Sequence, residues 1–261
     1  MKKFVPIALA VILLLSACRG SDSPPNAVHS ADDLPGRIIG VLHRSSSARF
    51  AYEIGSDMLT FHSGEELLAA LRTGRIDAAL MEMHDAHAIA TRASGVSILS
   101  EPLVEYDLRI AVARENAQLL NAVNSALAAL GENGTLDGLY NRYFHGADFT
   151  YLPPETAGTR PGNLTIAVPY YFPPYVFPDG YGERVGMDIA VARAVADIVG
   201  TSYTIVPLEL DALITAVWFG HADLALGFTP WDNGWDNANG EDLVNFSNAY
   251  ARSTQEIIVR R

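Results

Sequence analysis

The chain has 261 residues, 49% hydrophobic and 18% charged, with a formal net charge of −12. That is enough apolar material for two lobes of roughly 100 residues each. Lys2 and Lys3 are the only lysines and no basic cluster follows them, which argues against nucleic acid or anionic lipid as a partner.

Met1-Lys2-Lys3 is a positive start, and Phe4 to Leu15 is an apolar run too short to span a bilayer comfortably. The run ends in Leu15-Ser16-Ala17-Cys18, which resembles the lipobox of bacterial lipoproteins, with Cys18 becoming the lipidated N-terminus. Cys18 is also the only Cys, so an internal disulfide is excluded. Residues 1–18 are therefore expected to be a lipoprotein signal peptide; an ordinary signal peptide with an incidental Cys is the alternative. Residues 19–35, RGSDSPPNAVHSADDLP, read as a flexible tether. The expected location is the periplasm or the extracytoplasmic face of a bacterial membrane, with the membrane a partner through the anchor on Cys18.

From Arg37 the chain alternates β and α patterns. RIIGVL (37–42) reads as a buried strand, and Ser45-Ser46-Ser47 as an N-cap cluster opening a helix through Ala48 to Ile54. GEELLAALR (64–72) has apolar residues at helical spacing and is ended by Gly74. IDAALM (76–81) reads as a buried strand, 86–93 as a helix, YDLRIAVAR (106–114) as a strand, and 116–130 and 136–144 as helices. Residues 147–162, ADFTYLPPETAGTRPG, contain three Pro and read as a linker. The grammar then repeats: strand 164–168, a helix within 185–199, strand 203–207, helix 211–219, and strands at 223–226 and 256–259. Strands alternating with helices of this length predict an α/β fold of mostly parallel sheets, with ligands at the carboxyl ends of strands.

The ordered segments LTIAV, YYFPPYVF, the G-x-D of VGMDIAVARAVADIVG, DALITAV, HADLALG and NFSNAYARSTQEIIVR resemble the first half of the family 3 extracellular solute-binding proteins, the polar amino-acid class of ABC importer receptors. GRIIGVLHRSSS, LLAALRTGRIDAALME and LAALGENGTLDGLYNRYF resemble the second half. The halves stand in swapped order, so the resemblance implies a circularly permuted two-lobed type II periplasmic-binding-protein fold. Its expected parts are lobe 2 at 36–103, one part of lobe 1 at 104–146, a permutation linker at 147–162 and the other part of lobe 1 at 163–261. Cutting the chain at a hinge implies that a single covalent crossing between lobes remains, near Ser100 to Asp107.

The resemblance implies a receptor, expected to be a monomer, that closes its lobes over a small polar solute, an amino acid or amine, in an interlobe cleft and hands it to ABC importer membrane subunits. No cofactor, metal or enzyme activity is expected: Glu82, His84, Asp85 and His87 could be read as metal ligands, but their spacing is loose and no fourth ligand is evident, and no G-x-S-x-G, P-loop, H-E-x-x-H or Gly-rich dinucleotide loop occurs. Counting five residues on from Asp77, Glu82 takes the family's place for the acid that meets the ligand's ammonium group, with Asp85 as the nearest alternative. Ser45 and Ser46 match donors to the ligand, and Arg44 beside them is a candidate carboxylate clamp. Phe172, more than Tyr171, aligns with the aromatic that packs on the ligand, and Leu210 with a second wall. Gly227 and Thr229 match a strand end that contacts ligand. The family's carboxylate-gripping Arg is missing: no Arg stands between Thr229 and Tyr250, where Trp231 and Trp235 lie among Asp and Asn. A cation could instead meet an aromatic cage that includes Trp231. Two other readings share the fold: a periplasmic enzyme similar to cyclohexadienyl dehydratases, with Glu82 as a general acid, and a free ligand-sensing lipoprotein.

Overall fold

The apolar run after Arg37 becomes strand β1 (Ile38–Leu42), whose central residues are buried because it is flanked on both sides. In the computed structural model, which describes residues 28–43, 45–90, 92–227 and 243–261, it is followed by α1 (Ser47–Glu53), β2 (Asp57–Phe61), α2 (Gly64–Arg72) and β3 (Ala78–Glu82). β1 pairs in parallel with β2 along its whole length and with β3 on the other side. α2 buries Leu67, Leu68, Ala70 and Leu71 on one stripe, as a helix packed on a sheet must. Its start is fixed by Ser63, which accepts from the Glu66 amide at 3.2 Å, while Glu66 accepts from the His62 amide.

The next elements are α3 (Met83–Ala90), β4 (Val96–Ile98), β5 (Val104–Leu108), β6 (Ala111–Ala113), α4 (Ala117–Glu132) and α5 (Thr135–His145). The single strand expected over 106–114 is thus two short ones, interrupted at Arg109–Ile110, that enter different sheets. After the linker come β7 (Asn163–Pro169), β8 (Phe177–Pro178), β9 (Arg184–Val185), α6 (Met187–Val199), β10 (Ser202–Leu208) and α7 (Leu213–Trp218). β11 (Leu224–Ala225), β12 (Val244–Phe246) and β13 (Ala251–Arg260) complete the described chain.

These elements form two compact units. The first holds residues up to Leu80, Arg92–Leu99 and Ile257–Arg261; the second holds Met81–Thr91 and Ser100–Glu256. In the first, the sheet order is β2-β1-β3-β13-β4, where only the end of β13, Ile258–Arg260, pairs with β4. In the second, the sheet runs β10-β7-β11-β6-β12, and the first half of β13, Ala251–Gln255, pairs separately with β5. Residues 37–144 and 163–260 therefore do not make separate sheets. The single crossing expected near 100–107 is also corrected. The chain passes between units at 80/81, 91/92, 99/100 and 256/257, because β13 continues past Gln255 into the first unit's sheet.

The two units repeat one local device. Asp77 accepts from the Ile38 amide at 2.9 Å and its own amide donates to the Ile38 carbonyl at 2.8 Å. Asp223 does the same with Thr165, at 2.8 Å and 2.8 Å. Each Asp follows a helix ended by a left-handed glycine, Gly74 or Gly220, both at φ 73°; Asp77 pins β1 to the start of β3, and Asp223 pins β7 to the start of β11. The linker is also built into the second unit. The Phe149 ring lies over Gly138, where a Cβ would come within 2.2 Å of it; Arg142 donates to the Phe149 carbonyl; and the Arg160 amide donates to the Gly200 carbonyl at 2.8 Å.

Candidate functional site

β10, β7 and β11 run parallel in that order in the second unit, so the loops that follow them share one edge of the sheet. The loop after β7 carries Tyr171, 68% exposed, and half-buried Phe172. The turn after β10 carries Leu210, which packs partly buried on the core beneath α7. Gly227 follows β11, buried, at φ 103°; a Cβ there would lie 2.5 Å from Pro169 at the end of β7. Four sequence-predicted residues are thus gathered at the carboxyl ends of three neighbouring strands, the usual ligand edge of an open α/β sheet.

The loop after β7 is held tightly. Phe172 and Val176 exchange backbone hydrogen bonds at 2.6 and 2.8 Å. The rings of Phe172 and Tyr175 stack with centroids 5.0 Å apart, and Tyr175 meets Phe144 edge-on at 5.4 Å. Phe144 in turn stacks on Tyr140 and meets His84. Gly186 lets the loop approach α6: a Cβ there would sit 2.2 Å from the Tyr175 carbonyl, which accepts from the Asp188 amide at 3.0 Å.

Glu82 ends β3 and is 7% exposed. Its carboxylate accepts from the hydroxyls of Tyr106, Ser253 (2.8 Å) and Tyr175 (3.4 Å) and from Gln255 Nε2 (3.4 Å). Gln255 also donates to the Tyr106 hydroxyl at 3.2 Å. Burial, then the Glu82 charge, pushes the Tyr106 and Tyr175 phenols up, so both remain donors. Asp85, in the first turn of α3, is also pushed up by burial.

Beside this group lies Asp188, fully buried in the first turn of α6. Tyr250 donates to its Oδ1 at 2.8 Å, and Oδ2 has no hydrogen-bond partner among the described residues. Burial raises the Asp188 carboxyl to about 7, opposed by the Tyr250 bond and reinforced by the Glu82 charge. Sequence reading singled out Glu82 and noted the G-x-D containing Asp188, but not Tyr106, Ser253, Gln255 or Tyr250 as its surroundings. Those residues come from β5, from β13 and from the bend before it, and carry no local signal.

In the first unit, Ser46 precedes α1 with helical backbone angles and makes no side-chain cap bond. The expected N-cap geometry is absent, and Ser45 Oγ donates to the Leu42 carbonyl at 2.8 Å. Cys18, Arg44, Thr229, Trp231 and Trp235 lie outside the described residues. Among the described residues no group of three or more His, Cys, Asp or Glu side chains could hold a metal ion, and no helix is long and apolar enough to cross a membrane.

Residues 164–261 match the family model described as bacterial extracellular solute-binding proteins, family 3. The L-cystine-binding protein TcyJ of Escherichia coli K12 is 30% identical over 126 residues, 47% of each chain. The lysine/arginine/ornithine-binding periplasmic protein of the same strain is 27% identical over 142 residues, 50% of this chain and 53% of the relative. The chain thus spans about half the length of the curated relatives it matches. A solved phosphate-binding protein of a phosphate ABC transporter from Streptococcus pneumoniae TIGR4 aligns over 87% of this chain and 89% of its own at 11% identity, with a TM-score of 0.49. By these matches the C-terminal part of the chain is similar to family 3 extracellular solute-binding proteins.

Proposed function

We propose that the protein is an extracytoplasmic receptor of an ABC importer that binds a small polar solute. The observation that carries this reading is the edge where Tyr171, Phe172, Leu210 and Gly227 follow three parallel strands, inside the segment that matches the family. An aromatic wall beside strand-end backbone suits a small polar ligand. The test is a thermal-shift panel of L-cystine, L-arginine, L-lysine, L-ornithine, simple amines and short peptides. At least one solute should raise Tm, since ligand that binds only the native state stabilises it. Calorimetry on that hit should give one solute per chain, recovered unchanged. A panel that leaves Tm unmoved counts against the receptor reading, and turnover of the hit favours an enzyme of the dehydratase type.

Two finer readings accompany it. Lipidation of Cys18 would place the receptor at a membrane, and Cys18→Ser should move it to the soluble extracytoplasmic fraction. Circular permutation rests on the order of the resembling segments: those like the family's first half stand at 164–261, where the family model matches, after those like its second half at 36–144. A chain re-ordered as 163–261 followed by 37–146 should fold and melt like the original.

A further inference from the structure

β1 and β2 run parallel, with Leu42 opposite Phe61. The residues one step on, His43 and His62, stand side by side at the carboxyl ends of the two strands. The ladder continues through them, because the His43 amide donates to the Phe61 carbonyl at 2.8 Å. The His62 amide donates to the Glu66 carboxylate at 3.2 Å. Both imidazoles thus spring from backbone that is held in place, as a preorganised site requires. Their ring centres lie 5.1 Å apart, with the planes tilted by 54°. Both residues are exposed, so core packing does not account for the pairing. Both belong to the first unit.

The separation has a chemical meaning. A zinc ion sits about 2.0–2.1 Å from a coordinating imidazole nitrogen, and so about 3.2 Å from the ring centre. Two rings that share one ion at the tetrahedral angle then have centres about 5.2 Å apart. His43 and His62 already stand at that spacing. The Glu66 carboxylate, held at the His62 amide, adds a negative charge beside the pair, and the chain as a whole carries −12; both favour the approach of a cation. Imidazole suits nickel, copper and zinc, whereas magnesium and calcium take oxygen ligands.

We propose that His43 and His62 form a two-imidazole site for a late first-row divalent cation such as nickel or zinc, at the carboxyl edge of the first unit's sheet. Two protein ligands make a weaker site than the three or four of a catalytic or structural zinc centre. They leave coordination positions for water or for the amino and carboxylate donors of a solute. The site stands independently of the receptor reading. No sequence motif announces it, since the two histidines follow separate strands with α1 between them.

The experiment titrates Ni²⁺ and, separately, Zn²⁺ into the full chain, purified without a histidine tag. Calorimetry compares the parent with His43→Gln, His62→Gln and the double variant. The parent should bind one ion per chain at this site. Removing a ligand should cost no less than removing a partner of a ligand, so each single variant should raise Kd at least about tenfold. The double variant should add little to either single one, because a lone imidazole has already lost the shared ion. Metal-free melting should stay within about 0.5 kcal/mol of the parent, as for other exposed positions. The proposal is overturned by binding undiminished in either single variant, or by variants that lower the stoichiometry and leave Kd alone, as independent histidines would. A parent that takes up neither ion below about 1 mM, the weak end for extracellular metal modules, overturns it as well. If a variant fails to fold, NMR of the parent decides. Substoichiometric Ni²⁺, which is paramagnetic, should then broaden two of the seven histidine side-chain signals first; broadening of fewer, or of all alike, refutes the pair.

Discussion

In the first unit the sheet runs β2-β1-β3-β13-β4, and in the second β10-β7-β11-β6-β12. In each, one strand (β1 or β7) lies between two later ones (β2 and β3, or β10 and β11), followed by a strand from the other half of the chain (β13 or β6) and then by β4 or β12. Each uses one Asp to pin β1 to β3 or β7 to β11. Yet their interiors differ. Of the buried polar side chains, the first unit has Ser47 and Arg260, whereas Glu82, Asp188, Asp197 and Glu256 all belong to the second. Among the described residues, the first unit's sheet is thus built without a buried acid, whereas the second buries several.

The comparison can be broken most severely at its glycines. In the second unit, Gly186→Ala would drive a Cβ into the Tyr175 carbonyl at 2.2 Å, at φ 127°. A loss of more than about 3 kcal/mol is expected in denaturant melts. In the first unit, Gly40→Ala meets the tip of Ile76 at 2.4 Å, a flexible end that can give, so about 1–3 kcal/mol is expected. Equal losses would mean that the β7–α6 loop is no more constrained than an ordinary core contact.

Asp188 sharpens the contrast through pH. Its native carboxyl, raised by burial to about 7 from the ordinary 3.8, holds a proton that the unfolded chain has released between those values. The native state then binds more protons, so this group's contribution to stability falls as pH rises from about 4 to about 7 and is flat above that. Asp188→Asn keeps an acceptor for Tyr250 and removes the charge. It should raise Tm most at pH 8 and least near pH 4, flattening the alkaline side of the profile. A pH-independent change would remove Asp188 as the source. The smallest effect belongs to the first unit: Ser63→Ala, which deletes the cap on α2, should cost about 1 kcal/mol with no pH signature in this range.

The βα alternation was legible, and α2 most clearly, because its apolar stripe and Gly74 agree over one short segment. β2 was not: DMLTF sits with one side unpaired and mostly exposed residues, so it lacks both an alternating pattern and an apolar run. The length of β13 was hidden for the opposite reason. ARSTQ looks like loop in one dimension, yet Ser253 and Gln255 are buried because they face Glu82. At the site, motif position identified Glu82, but its occupancy depends on donors 24, 171 and 173 residues away in the chain. Only the folded chain brings them together.

The end of β13 also has a consequence for how the protein is made. Ile258–Arg260 fill the place between β3 and β4, and Arg261 donates to the Gly95 carbonyl at 3.1 Å. A ribosome emits the flanking strands long before it reaches those residues, on the order of ten seconds earlier at bacterial or eukaryotic rates. During that interval the earliest-made sheet carries an open slot with bare amide edges, so nascent chains stalled before residue 257 should engage chaperones or be cut by protease, and a tag appended directly after Arg261 should disturb the amino-terminal half rather than its sequence neighbours.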